Sequence, residues 1–332
     1  MKSFSFIHHS LLITFISILL LACGGSDTPP KNDNTTPEVV HQLEVSTETV
    51  DINGVQHFIK KVGTGEPLLV LHGGPGLFHD YLVPHFEKLA QDYQVIFYDQ
   101  RGCGQTAFPQ DTASITTENY INDLESIRAH LKIDQLHIAG HSWGAILAIH
   151  YAKKHPEHLK NLVLISPAPS TSEYFDMMFK NMQKKRSDED TKELVKLMSS
   201  RDFEKRVPTT FKKAIMLGDK VNLADQSTVN ELYNPMNFTE ASANNLLLVN
   251  SMMEKNFFDY NITEGMDSIK NPTLIIVGDL DNVPFASSQL LQDHLPNARL
   301  EVLKSACHYP FFEASKAFNR SVDNFLNPEY EE

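Results

Sequence analysis

Three side chains of this 332-residue chain have the types and the order that acyl transfer requires: Ser142, Asp281 and His308. Ser142 lies in Gly140-His141-Ser142-Trp143-Gly144, a G-x-S-x-G pattern. The pattern alone can arise by chance, so its setting carries the information. Residues 136–139 read as a short apolar strand ahead of it, and 145–154 as an apolar helix behind it. A turn that tight leaves no room for a Cβ two residues before or after the serine, which accounts for glycine at 140 and 144. The hydroxyl is then raised above the sheet edge at a helix N-terminus, where the dipole favours developing negative charge. A serine hydroxyl is a poor nucleophile until a base takes its proton. His308, in Ser305-Ala306-Cys307-His308-Tyr309-Pro310, is the expected general base, with its second ring nitrogen held by an acid. Val277-Gly278-Asp279-Leu280-Asp281 offers two acids. Asp281 is expected rather than Asp279, because the loop must travel past its strand end to reach the imidazole. His72-Gly73-Gly74-Pro75-Gly76 completes the set. Backbone N–H groups near Gly74 and of Trp143 are expected to hold the oxyanion of a tetrahedral intermediate, each donor contributing roughly 3–4 kcal/mol.

These residues need a frame that brings distant segments together, and the rest of the chain reads as one. Residues 45–52 and 55–62 flank Asn53-Gly54, a strong hairpin signal. Buried strands are expected at 67–71, 93–98, 136–139 and 162–165, with helices at 81–92, 116–131 and 145–154 between them. That alternation implies parallel strands with helices on both faces. It stops from about 168 to 267, where the chain is charged, Met-rich and helical, and resumes with strands at 273–277 and 299–303 and helices at 286–295 and 314–325. The expected architecture is therefore a mostly parallel doubly wound α/β sheet built from 41–167 and 268–332, interrupted by a helical cap. The expected reactive residues all stand at strand ends, in the order serine, acid, histidine.

Taken together, these segments resemble the proline iminopeptidase family of α/β hydrolases. The resemblance rests on His72–Gly76, on Asp99-Gln100-Arg101-Gly102-Cys103-Gly104, on Gly140–Gly144, and on the segments containing Gly278, Asp281 and His308. It implies the α/β-hydrolase fold, a serine hydrolase acting through an acyl-enzyme on an amide or ester, and an acid placed third after Gly278. The substrate it implies is an N-terminal proline or small apolar residue of a short peptide. The Asp99–Gly102 segment is expected to buttress the site. Where the family often has Arg then Ser after Gly104, Gln105-Thr106 keeps the hydroxyl and loses the charge. The family's cap supplies acids for the substrate ammonium, one beside a tryptophan. Trp143 is the sole tryptophan, so that feature is absent; Glu173, Asp176, Glu240 and Glu254 are the acids available. A carboxylesterase or lactonase on the same triad is the alternative, and a non-catalytic binding protein on the scaffold a third. Dehalogenase and epoxide hydrolase chemistry is disfavoured, since those relatives carry Asp at the position of Ser142.

Composition bounds the remaining classes. A net charge of −13 with no Lys/Arg stripe argues against a nucleic-acid partner. The histidines show no metal-ligand spacing and the chemistry needs neither metal nor cofactor. The N-terminus follows a different logic from the fold. Lys2 precedes an apolar run at 11–22, shorter than the ~20 residues of a membrane span and suited to a secretory signal. Leu20-Leu21-Ala22-Cys23-Gly24 resembles a bacterial lipobox, although Leu21 is a less usual residue there. This implies a signal peptide at 1–22, a diacylglycerol on Cys23 and a polar tether to residue 40, anchoring the protein to a bacterial membrane on its exported face. Ordinary signal cleavage nearby is the alternative. Cys103 and Cys307 sit in loops shaped by other residues, so a disulfide between them is not expected; the oligomeric state is left open.

Overall fold

The computed structural model describes residues 43–254 and 260–327. The expected leader, Cys23 and the tether lie outside the described residues. Among the described residues, no helix is long and apolar enough to cross a membrane.

Eight strands build one sheet: β1 (Val45–Ile52), β2 (Val55–Val62), β3 (Glu66–Leu71), β4 (Tyr93–Tyr98), β5 (Leu136–His141), β6 (Leu159–Ile165), β7 (Thr273–Gly278) and β8 (Ala298–Leu303). Their spatial order is β1-β2-β4-β3-β5-β6-β7-β8. The β1–β2 and β2–β4 pairs are antiparallel and the rest of the sheet is parallel. Asn53 and Gly54 both take positive φ, at 51° and 76°, which matches the twist a two-residue hairpin demands. The central strands are buried on both faces. Leu68, Val70, Val163 and Ile276 point into one core, while Leu69, Leu71, Leu164 and Ile275 point into the other. The helices Thr117–His130 and Trp143–Lys154 cover the second face, and the helix Ser315–Leu326 seals the first through Phe318, Val322 and Leu326.

The chain runs from β3 outward to β4, then crosses back to β5 on the other side of β3. This reversal is a topological switch point, where ligands bind outside the carboxyl ends of parallel strands. Leu71 pairs with Gly140, so the loop beginning at His72 and the turn holding Ser142 emerge side by side.

One expected helix is absent as such. Residues 81–92 form two single turns around a four-residue helix, Val83–Phe86, rather than a continuous run. Pro84 lacks an N–H and is tolerated only in a helix's first turn, so the helix must begin beside it. Strand β5 continues two residues further than its apolar run suggests. Between β6 and β7 the longer described elements are the helices Ser172–Lys185, Asp188–Met198, Pro208–Asp219 and Glu240–Glu254.

Candidate active site

The turn after β5 places Ser142 at φ 55° and ψ −118°, a conformation costing about 1–3 kcal/mol that only surrounding structure can hold. Its N–H donates to the Ile165 carbonyl (3.0 Å), and its carbonyl accepts from the N–H of Ala145 (3.0 Å) and of Ala168 (3.2 Å). A Cβ on Gly140 would stand 2.4 Å from the Gly144 carbonyl oxygen, and one on Gly144 2.4 Å from that of Leu71. Both glycines are steric requirements of the turn.

His308 arrives from the loop after β8. Its Nε2 lies 3.0 Å from Ser142 Oγ, and its Nδ1 lies 3.1 Å from each carboxylate oxygen of Asp281. Because the carboxylate can only accept, Nδ1 carries the proton and Nε2 is left to accept from the serine hydroxyl. Burial raises the Asp281 carboxyl, but the charge and hydrogen bond of His308, with the Val283 N–H, hold it below the usual carboxylate range. Burial pulls His308 down, and the charge and hydrogen bond of Asp281, aided by Asp219 and Glu313, hold it above an ordinary imidazole. Asp279 instead lies 3.5 Å from Lys304. The acid and base loops touch because residue 278 is glycine; a Cβ there would meet the Ala306 and Cys307 carbonyl oxygens at 2.2 Å. Cys103 and Cys307 are free thiols, and burial pushes the latter up to about 12.

The loop after β3 lies alongside. Gly74 has φ +129°, and a Cβ would come within 2.6 Å of the Gly76 nitrogen, so no other residue fits. Trp143, opening the helix Trp143–Lys154, has its indole N–H on Gln100 Oε1 (3.1 Å). Gln100 also donates through Nε2 to the His72 carbonyl (2.8 Å) and through its backbone N–H to His72 Nε2 (3.0 Å). One glutamine thus ties the two expected oxyanion segments together. Its neighbours brace the loop: Asp99 accepts from the N–H of His79 (3.0 Å) and of Gln105 (2.7 Å), and Arg101 grips Asp123 through two hydrogen bonds (2.6 and 2.8 Å). Thr106 donates its hydroxyl to the Asp99 carbonyl (2.6 Å).

A second chain of hydrogen bonds was not foreseen. The Gly73 N–H donates to Tyr81 Oη (2.8 Å), Tyr81 Oη meets His141 Nδ1 (2.8 Å), and His141 Nε2 meets the His308 carbonyl (2.9 Å). The carbonyl fixes every direction: Nε2 donates to it, Nδ1 accepts, and the phenol gives its proton to Nδ1. Burial, then the nearby charge of His308, lowers His141 to about 3, so the ring stays neutral. The variable residue inside the serine motif therefore links the loop after β3 to the backbone of the base. Only the two flanking glycines had a sequence signal.

Ser142 opens into a cavity of about 1080 Å³. Phe175, Met178, Phe179 and Met182, from the first insertion helix, form an apolar wall. Glu173, Asp176 and Glu254 also line it, whereas Glu240 begins the helix Glu240–Glu254 and does not. Asp219 was missed, having no signal beyond its place at a helix end. It lines the cavity and accepts from Tyr309 Oη (2.7 Å) and Asn222 Nδ2 (2.8 Å). With Asp281 that makes five carboxylates, and no Lys or Arg stands among the described lining residues. Far from this cavity, Glu125, His155 and His158 bring ligand-type atoms within 4.8 Å of one another, a grouping invisible in local spacing. Arg128 and Tyr151 already occupy the Glu125 carboxylate, so it offers a cation little.

Residues 66–315 match the family model described as alpha/beta hydrolase fold. The chain belongs to the α/β hydrolase family. This hydrolase is 28% identical over 290 residues to the proline iminopeptidase of Saccharolobus solfataricus, covering 81% of its own length and 87% of that protein's. It is 28% identical over 286 residues to the proline iminopeptidase of Heyndrickxia coagulans, covering 84% and 97%. Among solved structures, the proline iminopeptidase of Mycobacterium smegmatis superposes with a TM-score of 0.61 at 23% identity, covering 85% of this chain and 98% of that one.

Proposed function

We propose that this hydrolase is a serine aminopeptidase of the proline iminopeptidase type, releasing an N-terminal proline or small apolar residue from a short peptide. Ser142 is the nucleophile, and His308 takes its proton through Nε2 as Oγ attacks the carbonyl carbon. Asp281 holds the imidazole in the one tautomer that can accept, and stabilises the imidazolium that forms. Backbone N–H groups of Gly74 and Trp143 receive the oxyanion. His308 then passes the proton to the leaving amine, and water repeats the sequence on the acyl-enzyme.

The observation that carries the aminopeptidase reading is the charge of the cavity: the acids beside Ser142 suit a substrate that brings an ammonium group. Comparing proline p-nitroanilide with cyclopentanecarboxylic acid p-nitroanilide tests this, since a ring CH2 in place of NH2+ removes the charge at nearly the same shape. A loss of a hundredfold or more in kcat/KM is expected for the uncharged ring; equal rates would sink the reading. The apolar wall favours a second reading, a carboxylesterase or lactonase. Fast cleavage of short acyl esters with no turnover of aminoacyl anilides would select it. Failure of a phosphonate probe to label Ser142 would leave a binding protein. We also propose anchoring through diacylglycerol on Cys23, supported by the lipobox-like segment. Full-length protein that incorporates no radiolabelled palmitate, or does so equally as Cys23→Ser, would refute it.

A further inference from the structure

A second cavity of about 310 Å³ adjoins the first. Gly74, Pro75, Leu77, Asp219 and Asn250 line both. One helix carries a single face from one into the other, and a second helix does so together with the turn Lys220–Asn222 that follows it. Along Glu240–Glu254, Leu247 lines the second cavity, Asn250 both, and Ser251 and Glu254 the first. These positions fall at i, i+3, i+4 and i+7, a single stripe of an α-helix. On the facing side Ile215 and Gly218 line the second cavity, Asp219 both, and Asn222 the first. The two spaces are thus successive stretches of one trough, with Asp219 and Asn250 at the junction. Beyond the junction the character changes. The four carboxylates other than Asp219 stay behind, and Leu194, Met198, Phe203, Tyr233 and Leu247 supply an apolar lining.

Gly218 marks where this extension was left open. It lies within the helix Pro208–Asp219 without the positive φ that would require glycine. A Cβ placed on it meets no heavy atom within 4 Å. Glycine is the poorest helix former after proline, so neither backbone nor packing explains it. A side chain there would project into the trough.

We infer that the second cavity is a subsite for an extended apolar group on the acyl side of the substrate, kept open by Gly218. The inference rests on the hydrolase reading for which carbonyl the group is attached to. The trough as a whole then extends the aminopeptidase reading beyond proline and small apolar residues, to an acyl donor with a cationic amine near the acids and an unbranched apolar chain reaching past Asp219.

Binding of butylamine and octylamine, measured by calorimetry on the full chain, tests the subsite without turnover. Each methylene removed from water favours binding about fourfold, so octylamine is expected to bind at least tenfold more tightly than butylamine. Gly218→Trp is expected to erase most of that difference. Met198→Trp, on the adjoining helix Asp188–Met198, is expected to reduce it and serves should Gly218→Trp fold poorly. Equal binding of the two amines, or a chain-length preference untouched in both variants, overturns the subsite. In parallel, kcat/KM is compared for alanine and 2-aminooctanoyl p-nitroanilides and for p-nitrophenyl acetate and octanoate. The long-to-short ratio is expected to fall at least tenfold in Gly218→Trp. Absence of turnover on every substrate would strike the hydrolase reading alone, because the calorimetry still decides the subsite.

Discussion

Replacing Asp281 by Asn removes the charge behind His308 while keeping nearly the same shape. The two carboxylate oxygens sit 3.1 Å from Nδ1, and the Asp281 side chain is only 5% exposed. When His308 takes the serine proton, its new positive charge faces a full negative one at that separation. With an effective dielectric constant near 20, the attraction is about 332/(20 × 3.1), or about 5 kcal/mol. Since 1.36 kcal/mol corresponds to a tenfold change in rate, losing it slows acylation by nearly four orders of magnitude. Asn also offers an N–H₂ group where only an acceptor belongs, which favours the wrong imidazole tautomer. The assay is kcat/KM on proline p-nitroanilide across pH, with Ser142→Ala as the floor and thermal unfolding as the check on folding. The wild-type acidic limb should lie above the ordinary imidazole value, because His308 must be neutral to act and Asp281 holds it up. In Asp281→Asn that limb should move to lower pH. A loss smaller than tenfold in a folded variant, or a limb that stays in place, would refute the role given to Asp281.

Other expectations follow from the packing. Gly278→Ala forces a Cβ to 2.2 Å from two backbone oxygens, so it should cost about 2–4 kcal/mol, read as a drop of several degrees in melting temperature. Arg101→Leu should cost about 3–5 kcal/mol in denaturant unfolding, because it strips the doubly bonded partner from buried Asp123. His72, His85 and His141 are pushed down by burial to about 4, 4 and 3. Each is neutral in the fold and gains a proton near pH 6.5 when unfolded. Unfolding therefore takes up protons, and stability present above pH 6.5 should fall toward pH 4 by as much as about 1.4 kcal/mol per pH unit for each histidine. Chemical denaturation at stepped pH measures that slope; a flat profile would contradict it.

The elements around Ser142 were legible because their signals are local. Buried parallel strands announce themselves as short apolar runs, and steric crowding at residues 140, 144 and 278 can be met only by glycine. The positions of Asp281 and His308 followed from strand ends and chain order, and the structure sets both within hydrogen-bonding distance of the groups expected. Asp219 and the Tyr81–His141 link were not legible. Each depends on which surface of one element lands against another, and nothing in residues 208–219 marks the helix end that will hang over the cavity. The length of 81–92 was misread for a local reason, the missing N–H of Pro84, which hydrophobic spacing does not register.

The backbone N–H of His308 donates to the Asn222 carbonyl at 3.0 Å, so the segment that shapes the cavity also fixes the loop carrying the base. Anyone grafting the helical insertion of this protein onto another hydrolase core would be transplanting part of the catalytic support with it. A chimera whose junctions omit residues 219–222, or whose acceptor core lacks Tyr309 to meet Asp219, would inherit the new recognition surface and lose the alignment of its histidine. Substrate preference and turnover in this chain are therefore coupled engineering variables rather than independent ones.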